Sequence, residues 1–238
     1  SFCFWRCWCF WGRYGSAGEV ILEKGDIFNI PTGIFRGFEN IGETYGMLMA
    51  ILGGDDAGGG VIWAPEVLSE AKKHGLILSE KGKIYDTLKD QQIPNDENEM
   101  KPLKDDELKN FPEYSTSEVV PYYVARYLDL HSLSHDKPCT VIGENGKIFD
   151  KPGFEVEFIS EKSFKKDDGF YNKDIVFMPV DGYWSIKSDI CDLILNPGDT
   201  FSLPKHNKYS LEPTKPGMAG IYKVIPTDDM PGSTHRKQ

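Results

Sequence analysis

Long apolar runs are missing from this chain of 238 residues. No stretch approaches the ~18 residues that a helix needs to cross a bilayer, so no membrane partner is expected. The opening SFCFWRCWCFWGRYG is aromatic and apolar, but it lacks the basic start, aliphatic centre and small-residue cleavage site of a signal peptide. Cysteine is scarce and odd in number, with five residues at 3, 7, 9, 139 and 191. Three of them crowd one predicted strand, which excludes a disulfide framework and points to a reducing, cytoplasmic setting. The Cys7-x-Cys9 pair has no histidine or second cysteine pair nearby to complete a zinc site. Positive charge is outweighed as well: 27 Lys and Arg stand against 37 Asp and Glu, a net charge of −10. The basic residues are scattered, which argues against nucleic acid as a partner. Familiar catalytic signatures are also absent. GGDDAGGG (53–60) has no Lys-Ser/Thr after it and is no phosphate loop. No G-x-S-x-G occurs, and no cysteine stands at a motif spacing from a histidine.

What is present is turn-rich and repetitive. The chain is 39% hydrophobic, enough for a sizeable core, and carries 24 glycines and 15 prolines, which lean towards β structure. LEKGDIFNIPTG (22–33) returns as LNPGDTFSLPKH (195–206). An offset of 173 residues aligns Trp11 with Trp184, Leu22 with Leu195, Gly25-Asp26 with Gly198-Asp199, Phe28 with Phe201 and Pro31 with Pro204. GMLMAIL (46–52) then falls on AGIYKVI (219–225) without a gap. This is an internal duplication. In each copy EVIL or DLIL, IFNIP or TFSLP, and GMLMAIL or AGIYKVI read as strands bounded by turn residues and proline. Antiparallel strands so spaced imply small barrels or sandwiches.

Between the copies, APEVLSEAKKHG (64–75) predicts a short amphipathic helix with Pro65 in its first turn and Gly75 at its end. Residues 91–114 are polar and proline-broken, a surface linker with room for one short helix. VVPYYVARYLDL (119–130) resumes the apolar pattern. The expected division is an incomplete first unit at 1–62, helix and linker at 63–118, and a second unit at 119–238. The first unit has no counterpart of the second's early strands, so its start reads as truncated or altered and its edges need cover.

The repeated element resembles the second motif of the cupin superfamily, G-x5-P-x-G-x2-H-x3-N. Gly25, Pro31, Gly33 and Asn40 stand in that frame, with Arg36 in the histidine's place. In the second copy Gly198 and Pro204 fit, but His206, Tyr209 and Pro213 replace glycine, histidine and asparagine. With FWGRYG, AILGGDD, WAPEVL and GENGKIFDKPGFEVEF, the whole chain looks like a two-cupin protein of a bacterial group. The resemblance implies an all-β fold of two jelly-roll barrels, often dimeric. It also implies a barrel mouth holding iron or manganese on three histidines and a glutamate, as in dioxygenases and decarboxylases of small acids and phenols.

The ligand pattern is degenerate. The first motif, with its H-x-H, would precede residue 1 in the first copy; in the second, Asp168 and Phe170, or Gly169 and Tyr171, occupy the histidine positions. Only five histidines exist, at 74, 131, 135, 206 and 235. His74 closes a helix, and the surroundings of His131 and His135 read as a strand-to-loop transition. Arg36 cannot bind a cation but can grip a carboxylate, or else pairs internally with Asp26 or Glu39. Phe38, Trp11, Trp184 and Tyr209 either line a ligand cavity or fill the barrels. The expectation is a degenerate two-cupin homodimer that binds a small organic ligand, an anion being one option, at Arg36, Phe38, Trp184, His206 and Tyr209, or serves a structural role, with no cofactor. The alternative is an Fe(II) or Mn(II) dioxygenase using Asp168, Asp174 and His206.

Overall fold

The computed structural model describes all residues except 1, 4, 5, 53–61, 149, 151, 165–168 and 228–238. The first copy forms β1 (Phe2–Cys3), β2 (Cys7–Trp11), β3 (Gly18–Leu22), β4 (Ile27–Phe28), β5 (Arg36–Asn40) and β6 (Leu48–Met49). The connecting stretch forms α1 (Pro65–Lys73), β7 (Leu76–Leu78), β8 (Ile84–Asp86), α2 (Asp105–Leu108), α3 (Thr116–Tyr123), β9 (Val124–Ala125) and α4 (Tyr127–Leu133). Then come β10 (Cys139–Ile142), β11 (Phe154–Ser160), β12 (Gly169–Phe170), β13 (Ile175–Asp181) and β14 (Trp184–Ser188). The last strands are β15 (Asp192–Leu195), β16 (Phe201–Leu203), β17 (Lys208–Pro213) and β18 (Gly220–Pro226).

The second unit is a jelly roll by its strand order. One sheet runs β10-β11-β18-β13-β16 and the facing sheet β12-β17-β14-β15. From β13 the chain crosses to the other sheet as β14, turns into β15, returns as β16, crosses again as β17 and comes back as β18. That alternation closes two Greek keys around one interior. Ile175, Phe177, Trp184, Ile186, Leu203, Leu211 and Ile221 fill it. The protein is thus all-β, with short helical insertions.

The first unit repeats this order in β6-β1-β4 and β3-β2-β5, which match β18-β13-β16 and β15-β14-β17. The pairing corrects one expected equivalence. Leu22 and Asn40 both pair with Cys7, whereas Leu195 and Pro213 both pair with Trp184. Cys7, not Trp11, is therefore the structural counterpart of Trp184. The β2–β3 hairpin is longer than β14–β15, and the matching Trp letters arise from that shift in register. Cys9, Trp11, Leu22 and Phe28 pack a smaller core of their own. The cysteines also divide differently from expectation, with Cys3 on β1 and Cys7 and Cys9 on β2.

A third apolar layer joins the units. Alternation along β11 sends Phe154, Val156 and Phe158 to the outer face of its sheet, where cross-strand neighbours Tyr222, Val224 and Met178 meet them. Ile27, Met47, Met49 and Ile51 of the first unit pack against that face. Met49 and Ile51 are the counterparts of Tyr222 and Val224, so equivalent faces of the two units meet back to back. Polar ties fix the seam. The Tyr222 hydroxyl donates to the Gly25 carbonyl at 2.6 Å, Lys24 pairs with Asp181, and Asn29 donates to Asp150. Gly25 has φ +86°, and a Cβ there would strike the Tyr127 ring, so only glycine lets that carbonyl approach.

The predicted helix over 64–75 forms as α1, with Pro65 opening it and Gly75 at φ +77° closing it. The surroundings of His131 and His135, expected as a strand-to-loop transition, divide instead: His131 lies in helix α4, and His135 follows it in a loop. Tyr127 and Leu130 turn one face into the shared layer. Asp26 holds the start of α4 by accepting from the Tyr127 amide at 2.8 Å and from Arg126 at 2.7 Å. His131 meets Glu161 at 2.8 Å, and Glu161 also accepts from the Ala219 amide. Burial opposes the charge on Glu161, yet the Ala219 and His131 bonds outweigh it and hold its carboxyl below the usual range.

Two tests follow from the seam. Tyr222→Phe keeps the ring and removes a buried bond, so it is expected to cost about 1–2 kcal/mol in urea denaturation, against about 3–5 for Phe158→Ala. A lowered Glu161 pKa stabilises the fold above the unfolded value and loses that contribution as pH falls through the folded one. Glu161→Gln should therefore flatten the acid limb of a stability–pH curve measured from neutral pH down to about pH 3.

Candidate functional site

Strands β13 and β18 lie between the barrel interior and the shared layer, so both faces are buried and both should be apolar throughout. β18 breaks the rule at one position. Lys223 is 3% exposed, amid Ile221, Tyr222, Val224 and Ile225. Its cross-strand neighbours are Glu157 and Phe177, which puts it on the interior face of the barrel. An ammonium taken out of water must be paired. Lys223 Nζ lies 2.8 Å from Glu157 Oε2, donates to the Tyr171 hydroxyl and sits 3.8 Å from the centroid of the Tyr171 ring.

Tyr171 arrives from the facing sheet, just after β12. Its ring stacks on Tyr209 at 6.2 Å, and Tyr209 meets Phe177 edge-on at 5.1 Å. The Tyr171 carbonyl accepts from the His206 amide at 2.8 Å, and Asp174 accepts from the Lys205 amide at 2.8 Å. These two bonds tie the turn at 204–207 to the loop at 171–174 around one end of the barrel. The result is a mouth with an ammonium, a carboxylate and two phenols beneath it. Glu157 keeps a third of its side chain in solvent, so the cluster has a wet side. Such a group can hold an oxyanion through Lys223 and Tyr171 and release or take up the Glu157 carboxylate in exchange.

The residues singled out in the sequence are dispersed. Tyr209 is in the cluster, stacked on Tyr171. His206 and Asp174 border the same mouth but face solvent, His206 at φ +65° in the turn. Trp184 is fully buried at the far end of β13, donating to the Asp181 carbonyl at 3.1 Å. Arg36 and Phe38 lie on β5 in the other unit, both exposed. Asp26, one suggested partner for Arg36, is taken by Arg126. Asp168 and His235 fall outside the described residues. Tyr171 was named only as the occupant of a histidine position, and Lys223 and Glu157 went unnoticed, although the signal was there: a lone lysine in the apolar run AGIYKVI, and the alternation FEVEF that turns its glutamates to the opposite face.

The divalent-metal set that the cupin resemblance implies does not fit these side chains. Tyr209 and Arg36 stand where a histidine is required, and one is packed in a core while the other is cationic. His74, His131 and His135 lie against Glu70, Glu161 and Asp136, each in a different place. Among the described residues no three His, Cys, Asp or Glu side chains gather around one point. Among those residues, too, no helix is long and apolar enough to cross a membrane.

No family model and no curated protein matches the chain. Among solved structures it is similar to a cupin 2 domain-containing protein from Halorhodospira halophila, at 20% identity over 42% of this chain and 70% of that one, TM-score 0.34. A cupin-2 domain-containing protein from Shewanella frigidimarina matches at 16% identity over 43% of this chain and 94% of its own, TM-score 0.32. The DMSP lyase DddQ from Ruegeria pomeroyi matches at 15% over 42% and 52%, TM-score 0.33. The jelly-roll assignment stands on this chain's own strand order, independently of these likenesses.

Coupling within the cluster is measurable. A double-mutant cycle of Lys223→Met and Glu157→Gln in urea denaturation is expected to return an interaction of about 1–2 kcal/mol. A value near zero would mean that the two groups are solvated separately.

Proposed function

We propose that the second barrel binds a small organic anion, a carboxylate or a similar oxyanion, at the mouth formed by Lys223, Tyr171, Glu157 and Tyr209. On this reading the protein is a degenerate two-cupin protein that works without a resident divalent ion. The observation that carries it is the buried ammonium of Lys223 on the interior face of a jelly roll, between Ile221 and Ile225 along its own strand and beside Phe177 and Glu157 across it. A lysine placed only to fill space would be replaced at no cost by Met or Leu, which avoid the desolvation of charge. An ammonium facing a phenol at a barrel mouth instead gives a ligand's acid group a charged hydrogen-bond partner, while Tyr209 and Phe177 supply the apolar floor on which a small organic body rests. Glu157 holds the charge of Lys223 in balance until the ligand arrives.

The test is a thermal-shift and calorimetric screen of short-chain and aromatic carboxylates against the full chain. At least one is expected to bind saturably, and Lys223→Met is expected to weaken that ligand tenfold or more while the variant keeps its near-ultraviolet dichroism. Binding that survives Lys223→Met unchanged would move the ligand elsewhere, and a screen with no binder would leave the cluster a structural pair.

A further inference from the structure

FWGRYG forms the end of β2 and the turn that follows it, in the other unit from Lys223. Gly12 and Gly15, at φ +95° and +71°, hold Arg13 and Tyr14 between them in a turn that other residues rarely adopt. The linker comes back over this turn. Trp11 Nε1 donates to the Tyr114 carbonyl at 2.7 Å, and the Arg13 amide donates to Glu113 at 3.1 Å. The Phe35 ring stacks on Phe111 at 4.7 Å. Between turn and linker a groove of about 780 Å³ stays open, a size that suits a small organic ligand.

The groove offers both charges beside a flat apolar surface. Arg13 and Lys109 stand against Asp105 and Glu113, so the lining carries no net charge. Arg13 Nη2 lies 3.3 Å from Glu66 and 3.5 Å from Asp105, longer than the ~2.7–2.9 Å of a close charge-assisted bond. Arg13 Nε is buried and has no partner among the described residues. The Asp105 side chain is 87% exposed, and an ion pair so open to water holds weakly. A guanidinium edge is thus underused next to a carboxylate that can turn away.

We infer that this groove binds a zwitterionic aromatic amino acid. Its α-carboxylate takes the Arg13 fork, its α-ammonium takes Asp105 and Glu113, and its ring lies against Phe35 and Phe111. Charge balance selects that class. A plain anion reaching Arg13 meets the repulsion of Asp105, and a plain cation reaching Asp105 meets that of Arg13. A zwitterion sets one charge against each member of the pair and leaves neither uncompensated. Its two charged groups share one carbon, which suits partners that stand 3.5 Å apart.

The test is calorimetry on the full chain carrying Lys223→Met, so that the second barrel's mouth contributes nothing, with L-phenylalanine, phenylpropionate and phenethylamine as probes. Phenylalanine is expected to bind saturably, and each of the others, lacking one charge, about tenfold more weakly or worse. Arg13→Met is expected to abolish phenylalanine binding. Because Arg13 also ties the linker down, Asp105→Asn at an exposed position gives a second reading. It is expected to weaken phenylalanine about tenfold and to leave phenylpropionate no weaker than before. Equal affinity for phenylalanine and either of the other probes overturns the proposal, as does phenylalanine binding that survives both substitutions. No binding of phenylalanine overturns it too. With Lys223 replaced throughout, the outcome is separate from that of the anion site.

Discussion

Two sheets packed back to back set the terms for the rest of this molecule. The outer face of β11-β18-β13, carrying Val156, Phe158, Tyr222, Val224 and Met178, rests on Ile27, Met47, Met49 and Ile51 of the first unit. Because that face is dry, the central strands of the second unit are dry on both sides, and every polar group they carry must find a partner inside the protein. The Tyr222 hydroxyl does so on Gly25, which explains a glycine in a turn that other residues could otherwise occupy. Lys223 does so on Glu157 and Tyr171. The same constraint that glues the units together therefore creates a chemical feature of the second barrel's interior that aliphatic packing does not require.

The chemistry at the mouth inverts what the cupin resemblance implies. A site for a divalent ion collects neutral imidazoles and anionic carboxylates around an open position. This mouth pairs an ammonium with a carboxylate beneath two phenols, with Asp174 at its border, and among the described residues no three His, Cys, Asp or Glu side chains gather there. The first unit carries the same inversion in Arg36. Arg36 pairs across from the buried Trp11 and is exposed there, whereas its counterpart Tyr209 is packed in the core of the second unit.

Much of this was legible in the letters. The repeat of glycine, aspartate and proline fixed where the turns lie, and proline and glycine marked both ends of α1. The strands EVIL, DLIL, TFSLP and AGIYKVI formed as expected. Three things were hidden. The identity of Trp11 and Trp184 misled, because a longer hairpin shifts one tryptophan by a turn's length while strand pairing keeps its own register. Residues 127–133 became helix because Tyr127 and Leu130 are captured by the shared layer, a tertiary effect that local pattern does not carry. Lys223 was visible as a lysine among apolar residues, but its direction into the barrel depends on knowing which alternate face of β18 meets the other unit. His206, by contrast, stood out by its chemistry and proved to be a turn residue.

The central claim is that the second barrel's interior is organised around an ammonium in place of a metal ion. Elemental analysis of the full chain, incubated with Fe(II) or Mn(II) under anaerobic conditions and then desalted, tests it most directly. The expected result is far less than one ion per chain for either metal, unchanged by Lys223→Met. One tightly held ion per chain, lost on substitution of Asp174 or His206, would contradict the account and make the barrel a metal centre.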